Sequence, residues 1–72
     1  MAQKKKLLDK VRRNIRNVSR EDFEALINAY GYVEEGGKHP QAIIESYTMS
    51  YKREKRIKSC YVKDLLDIID SL

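Results

Sequence analysis

The sequence predicts an α+β domain: a three-stranded antiparallel sheet with helices packed on one face, preceded by an N-terminal helix. Three observations carry this. Apolar residues recur at helical spacing in three separate stretches. Between the second and third of these lie short runs of β-forming residues, divided by Gly36-Gly37 and by Glu45-Ser46. Those links are too short for a crossover, so the strands they join must run antiparallel.

Residues 4–16 read as the first helix, with Leu7, Leu8, Val11 and Ile15 on one stripe. Its other face holds Lys6, Lys10, Arg12, Arg13 and Arg16, which suits either plain solvation or contact with phosphates. The Lys-rich start, Met1 to Lys6, is expected to fray. Ser19 is a good N-cap for a second helix over 20–30, and Asp22 stands at the capping-box position with a shorter arm. Val18 and Phe23 are placed for a hydrophobic staple. Glu21 and Asp22 complement the helix dipole, and Phe23, Leu26, Ile27 and Tyr30 keep the helical period. Gly31 is expected to end this helix in the left-handed conformation.

Tyr32 to Glu35 read as a first strand, 39–45 as a second centred on Ile43 and Ile44, and Tyr47 to Tyr51 as a half-buried third. Residues 43–51 also fit one longer, bent strand. Pro40 has no N–H to donate, so it should lie at an edge or just outside the ladder. Lys52 to Lys58 read as a loop with five cations and one anion. Ser59 is expected to cap the last helix. The apolar face of that helix carries Tyr61, Val62, Leu65, Leu66, Ile68, Ile69 and Leu72, and its outer face carries Asp64, Asp67 and Asp70. Positive charge thus gathers in the first helix and the 52–58 loop, and negative charge on the last helix.

Seventy-two residues make one domain, 1–72, divided into a basic N-terminal helix over 1–18 and an α-β-β-β-α core over 19–72. A chain this small buries only about 60% of its unfolded surface, so its stability is marginal. A net charge of +4 favours anionic partners. No apolar run approaches the roughly 20 residues that span a membrane, and the start lacks the pattern of a signal peptide. The single cysteine, Cys60, forms no internal disulfide, which fits a cytoplasmic protein.

The stretch from Gly36 to Ile44 holds the only histidine, His39, where a glycine turn hands over to a strand. Taken alone it reads first as a hairpin turn. Its chemistry suits more. Histidine transfers protons near neutral pH. Lys38 beside it offers charge for a phosphate, and Gly36 and Gly37 let backbone approach a ligand. Lys52, Arg53 and Lys58 could grip flanking phosphates. A metal site from His39, Glu34 and Glu35 is weak, because adjacent carboxylates on a strand point to opposite faces. Cys60 reads as a small, partly buried residue rather than a nucleophile. Of the five tyrosines, most read as packing residues, with Tyr51 the best placed to stack on a base.

Taken in order, Asn17 to Phe23, Gly31-Tyr32, Gly37-Lys38-His39, Tyr51-Lys52-Arg53, Ile57-Lys58, Tyr61-Val62-Lys63 and Leu65-Leu66 cover nearly the whole chain. In this order and spacing they resemble the HicA family, small toxins of toxin–antitoxin pairs. The resemblance implies a double-stranded-RNA-binding-domain-like fold and an endoribonuclease that cuts mRNA without metal or other cofactor. It puts the catalytic histidine at His39; Gly37, Lys38, Lys52, Arg53 and Lys58 are the RNA- or phosphate-binding residues that the reading of the residues themselves gives. It also implies a HicB-like antitoxin as protein partner, allowing a hetero-oligomer, and a role in stress response. Lys38 stands where serine is commoner, Pro40 follows the histidine at once, and the link between the second and third strands is short. With one histidine, the second proton-transfer role falls to water, a lysine, Tyr47 or Tyr51. Two other readings remain at this point: a non-catalytic nucleic-acid-binding module, and a protein–protein interaction domain meeting an acidic partner.

Overall fold

The computed structural model describes the backbone of residues 2–72 and the side chains of residues 4–72. Part of the expected frayed start, at Met1, lies outside them; Lys4 to Lys6 are helical. The first helix, α1, spans Ala2–Arg13 and so stops three residues short of the expected end. The chain turns instead at Asn14, whose amide donates to the Val11 carbonyl, while the Asn17 amide donates to the Asn14 carbonyl at 2.8 Å. Asparagine competes with the helical backbone for hydrogen bonds, which favours a stop there.

β1 (Val18–Ser19) leads directly into α2 (Arg20–Tyr30). The Ser19 hydroxyl accepts the Asp22 amide at 3.2 Å, as the cap reading required. Gly31 closes α2, but its φ of −167° is extended, not left-handed. Glycine is needed there for another reason. A β-carbon on it would lie 1.9 Å from the Ile43 carbonyl oxygen, against the main chain of the neighbouring strand. Close approach of two backbones, not turn geometry, fixes this residue.

Three strands follow: β2 (Tyr32–Glu34), β3 (Gln41–Ile44) and β4 (Tyr47–Ser50), in the antiparallel order β2-β3-β4. β3 is thus central, and Pro40 sits just outside its ladder. Glu45-Ser46 form the two-residue turn between β3 and β4, with Glu45 at φ 53°, which rules out one long bent strand. Val33, Ala42 and Met49 are in register across the sheet and face the core. The 52–58 segment is not all loop. Within it, β5 (Arg56–Ile57) pairs antiparallel with β1 to form a second, two-stranded sheet.

α3 (Ser59–Asp70) completes the chain. Its N-cap is Lys58, not Ser59, and no side chain caps it. Phe23, Leu26 and Ile27 of α2 and Val62, Leu65, Leu66 and Ile69 of α3 join Ala42 and Ile44 in one core. Both helices therefore cover the same sheet face, as in an α+β layer arrangement. Val11 of α1 reaches this core, and Arg12 pairs with Asp70, tying the basic first helix to the acidic last one. No described helix is long and apolar enough to cross a membrane. Two residues lie opposite to expectation. Cys60 is exposed. Tyr51 is 1% exposed and meets Phe23 edge to face at 4.9 Å, so it has no free ring face for a base.

Candidate active site around His39

His39 lies near the end of the Glu35 to Pro40 loop that connects β2 to β3. Gly37 takes φ 105°, a conformation costly for any residue with a β-carbon, whereas Gly36 faces open space. Glu35 to His39 are exposed, while Pro40 is buried. The loop is held at both ends. At one end the Tyr51 amide donates to the Pro40 carbonyl at 3.2 Å, extending the β3–β4 pairing past its last ladder residue. At the other, Arg53 Nη1 donates to Glu35 at 2.5 Å.

Arg53 and Tyr51 belong to one polar cluster. The Tyr51 hydroxyl donates to Glu24 Oε2 at 2.5 Å, and Arg53 Nε donates to the same oxygen at 2.9 Å. Arg53 thus bridges α2, through Glu24, and the His39 loop, through Glu35. The pair with Glu35, then Tyr51 and Glu24, hold the Arg53 guanidinium above its ordinary range. Burial pushes the Tyr51 phenol up to about 12, and its hydrogen bond to Glu24 adds to this, because ionising it would set two negative charges together.

Sequence reasoning missed Glu24 and weighed Glu35 only as a weak metal ligand. The available signal was the Tyr51-x-Arg53 spacing, which puts both side chains on one side of an extended segment. Arg53, expected at a phosphate, instead contacts two carboxylates. Lys38 and Lys52 are exposed; Lys38 is next to His39 in sequence, and Lys52 follows Tyr51, whose amide is bonded to Pro40. Gly37 shapes the loop. Lys58 stands apart, at the start of α3.

If His39 transfers a proton, the structure limits which group could act as its partner. Tyr51 is buried and bonded to Glu24. Tyr47 pairs with Ile44, at the far end of β3 from the loop, about 10 Å beyond Gln41 at the usual strand rise. Water, Lys38 and Lys52 remain. Two clefts stand out among the described residues, and His39 lines neither. One, about 370 Å³, is bounded by Ser19, Arg20, Glu21 and Lys55. The other, about 180 Å³, lies between α1 and β1. A loop exposed from Glu35 to His39 and outside both clefts suits a long polymer that lies across it better than a small molecule.

No family model matches the chain, and neither a curated protein nor a solved structure shows detectable similarity to it.

Proposed function

We propose that this protein is a metal-independent endoribonuclease of the HicA type, the toxin of a toxin–antitoxin pair, acting on mRNA in the cytoplasm. One observation carries the reading. The only histidine stands exposed on a loop that the Glu24–Tyr51–Arg53–Glu35 cluster holds in place, with Lys38 next to it in sequence and Lys52 following Tyr51, whose amide is bonded to Pro40. The succession of α2, β2, β3, β4 and α3, with both helices on one sheet face, supports the double-stranded-RNA-binding-domain-like fold that the HicA resemblance implies.

The chemistry follows from these groups. The ribose 2′-oxygen attacks the adjacent phosphorus, the bond to the 5′-oxygen breaks, and a 2′,3′-cyclic phosphate and a 5′-hydroxyl result. His39 takes the 2′-hydroxyl proton or supplies one to the 5′-oxygen, a contribution worth about 10²–10⁴-fold. Water or a lysine takes the other role. Lys38 and Lys52 offset charge growing on the phosphate. Arg53 acts as a positioning residue, fixing the loop through Glu35 rather than gripping RNA. A HicB-like antitoxin would act by covering His39.

The test uses single-stranded RNA in a buffer with excess chelator. The wild-type protein should cleave it and leave cyclic phosphate ends. His39→Ala should abolish cleavage with an unchanged thermal midpoint, because an exposed loop side chain contributes within about 0.5 kcal/mol to stability. Equal cleavage by His39→Ala would sink the reading. A second reading, a nucleic-acid-binding module without chemistry, is favoured by one feature: no side chain hydrogen-bonds to His39 among the described residues, so no fixed proton-transfer partner stands beside it. That module would bind RNA with steep salt dependence and leave it intact.

A further inference from the structure

The pairing of β1 with β5 brings together two basic segments that lie far apart in sequence. Ser19 is in register with Arg56, and Val18 with Ile57. The Arg20 amide donates to the Lys55 carbonyl, continuing the ribbon one pair further. Val18 and Ile57 turn inward and are buried, while Arg16, Arg20, Lys55, Arg56 and Lys58 are all exposed. Only Arg20 has a carboxylate partner among the described residues, Glu24 at 4.0 Å. Such a pair at the surface contributes little and exchanges readily. The 370 Å³ cleft lies on this ribbon, with Arg20 and Lys55 in its wall. The acid in the cleft wall is Glu21; Glu54, next to Lys55 in sequence, is half-buried.

We propose that the β1–β5 ribbon is a docking surface for the phosphate backbone of a single-stranded nucleic acid, continuous with the His39 loop through residues 52–55. At one end of that segment Tyr51 is bonded to Pro40, next to His39, and at the other Lys55 is bonded to Arg20. A strand with its scissile phosphate at His39 would therefore meet Lys52, Lys55 and Arg56 in turn; this course rests on the nuclease reading, the ribbon's affinity for phosphates does not. From Lys52 to Arg56 the chain spans at most about 14 Å, the reach of a few nucleotides. An acidic protein is the weaker occupant. Protein interfaces are anchored by buried aromatic or aliphatic side chains, and the exposed large apolar residues, Tyr32, Tyr47 and Leu72, do not belong to this ribbon. Charge without an apolar anchor suits a backbone of regularly spaced phosphates.

The experiment measures binding of a single-stranded RNA oligonucleotide as a function of salt, in the His39→Ala background so that the RNA stays whole. The triple variant Arg20→Gln, Lys55→Gln, Arg56→Gln is compared with a control of equal charge loss, Lys5→Gln, Lys6→Gln, Lys63→Gln. The slope of log K against log salt should flatten by about 2 in the ribbon variant, since each single-strand phosphate contact contributes about 0.7. It should change by less than half a unit in the control. Lys55→Gln alone, a surface change that leaves the fold intact, should flatten it by about 0.7. Equal slopes for ribbon and control variants, no RNA binding by the His39→Ala protein, or displacement of the RNA by polyglutamate at matched charge would each overturn the proposal. Failure of the two readings is distinguishable. Ribbon-dependent binding without cleavage by the wild-type protein sinks only the nuclease, and cleavage with ribbon-independent binding sinks only the ribbon.

Discussion

Replacing Gly31 by alanine should cost most of the stability of this protein. The β-carbon would sit 1.9 Å from the Ile43 carbonyl oxygen and 3.0 Å from both the Ile43 carbonyl carbon and Ile44 Cα. Ordinary contact begins at 3.4 Å, so the two backbones must part by about 1.5 Å. No flexible side chain lies between them to give way; the atoms in contact belong to the main chain of the central strand. Separating them opens the packing of α2 against β3, where Leu26, Ile27, Ala42 and Ile44 are buried. Overpacking a tight core costs about 1–3 kcal/mol even when side chains can move, so about 3 kcal/mol is the lower bound here. The total stability of a 72-residue chain is about 4–11 kcal/mol. Urea unfolding followed by circular dichroism measures the loss. With a slope near 1 kcal/mol/M, the midpoint should fall by about 3 M, or the variant should be unfolded in buffer. The decisive comparison is Gly31→Asn. A left-handed helix stop accepts asparagine, whereas a close approach rejects it as firmly as alanine. Gly36→Ala, facing open space, should stay within about 0.5 kcal/mol, and Gly37→Ala, at φ 105°, should lose about 1–3 kcal/mol from backbone strain alone. A Gly31→Ala protein that loses under 1 kcal/mol, or a Gly31→Asn protein as stable as wild type, would refute the close-approach argument.

Two further changes probe the elements around the site. Tyr51→Phe removes a hydrogen bond to a carboxylate that keeps Arg53 as partner, so it should cost about 1–2 kcal/mol by denaturant titration. It should also flatten the alkaline limb of stability. Tyr51 holds its proton to about pH 12 in the fold but only to about 10 when unfolded, so its contribution is complete below pH 10 and fades between 10 and 12. A wild-type and a Tyr51→Phe protein with parallel stability profiles over that window would contradict the assignment. Lys58→Asp places an acceptor at the uncapped start of α3, in a residue already extended at φ −60°, ψ 141°. It should raise stability by about 1 kcal/mol in a thermal melt while weakening RNA binding, because the same lysine belongs to the basic track.

Most local signals in the sequence carried over into the structure, although α1 stops at Arg13 and Lys58, not Ser59, is the N-cap of α3; contacts between distant segments were not visible. The Ser19 cap, the α2 period and the Glu45-Ser46 turn each depend on residues a few positions apart, and each is where the sequence put it. The glycine loop around His39 was visible for the same reason. Gly31 was visible as a helix stop but not as a contact, because its partner, Ile43, belongs to another strand. β1 and β5 are two residues each, too short to show any periodicity, and only their pairing across the fold defines them. Tyr51 alternates with its neighbours as a half-exposed residue would, yet Phe23 covers it. The Glu24–Arg53–Glu35 bridge joins a helix, a loop and the segment after β4, and a charge run such as 52–58 does not say which of its members are neutralised.

That neutralisation separates two kinds of cation in the 52–58 segment. Arg53 touches two carboxylates and cannot serve a phosphate without giving one up. Lys52, Lys55, Arg56 and Lys58 have no carboxylate within 4.0 Å among the described residues. The exposed loop also limits what His39 can do by itself, since a histidine in water, outside both clefts, gains little from a low dielectric. In the proposed nuclease, positioning must supply the rest, and the fold offers two parts for it: a loop fixed through Arg53, and a basic track through Lys52, Lys55 and Arg56 on one side of the reacting phosphate. The parts separate kinetically. Arg53→Gln should lower kcat by loosening the loop while the salt slope of binding changes by less than one phosphate contact. The Arg20, Lys55 and Arg56 changes should raise KM and flatten the slope with kcat held. Should Arg53→Gln flatten the slope by 0.7 and leave kcat alone, Arg53 would be a phosphate ligand after all, and Glu35 only its resting counter-ion.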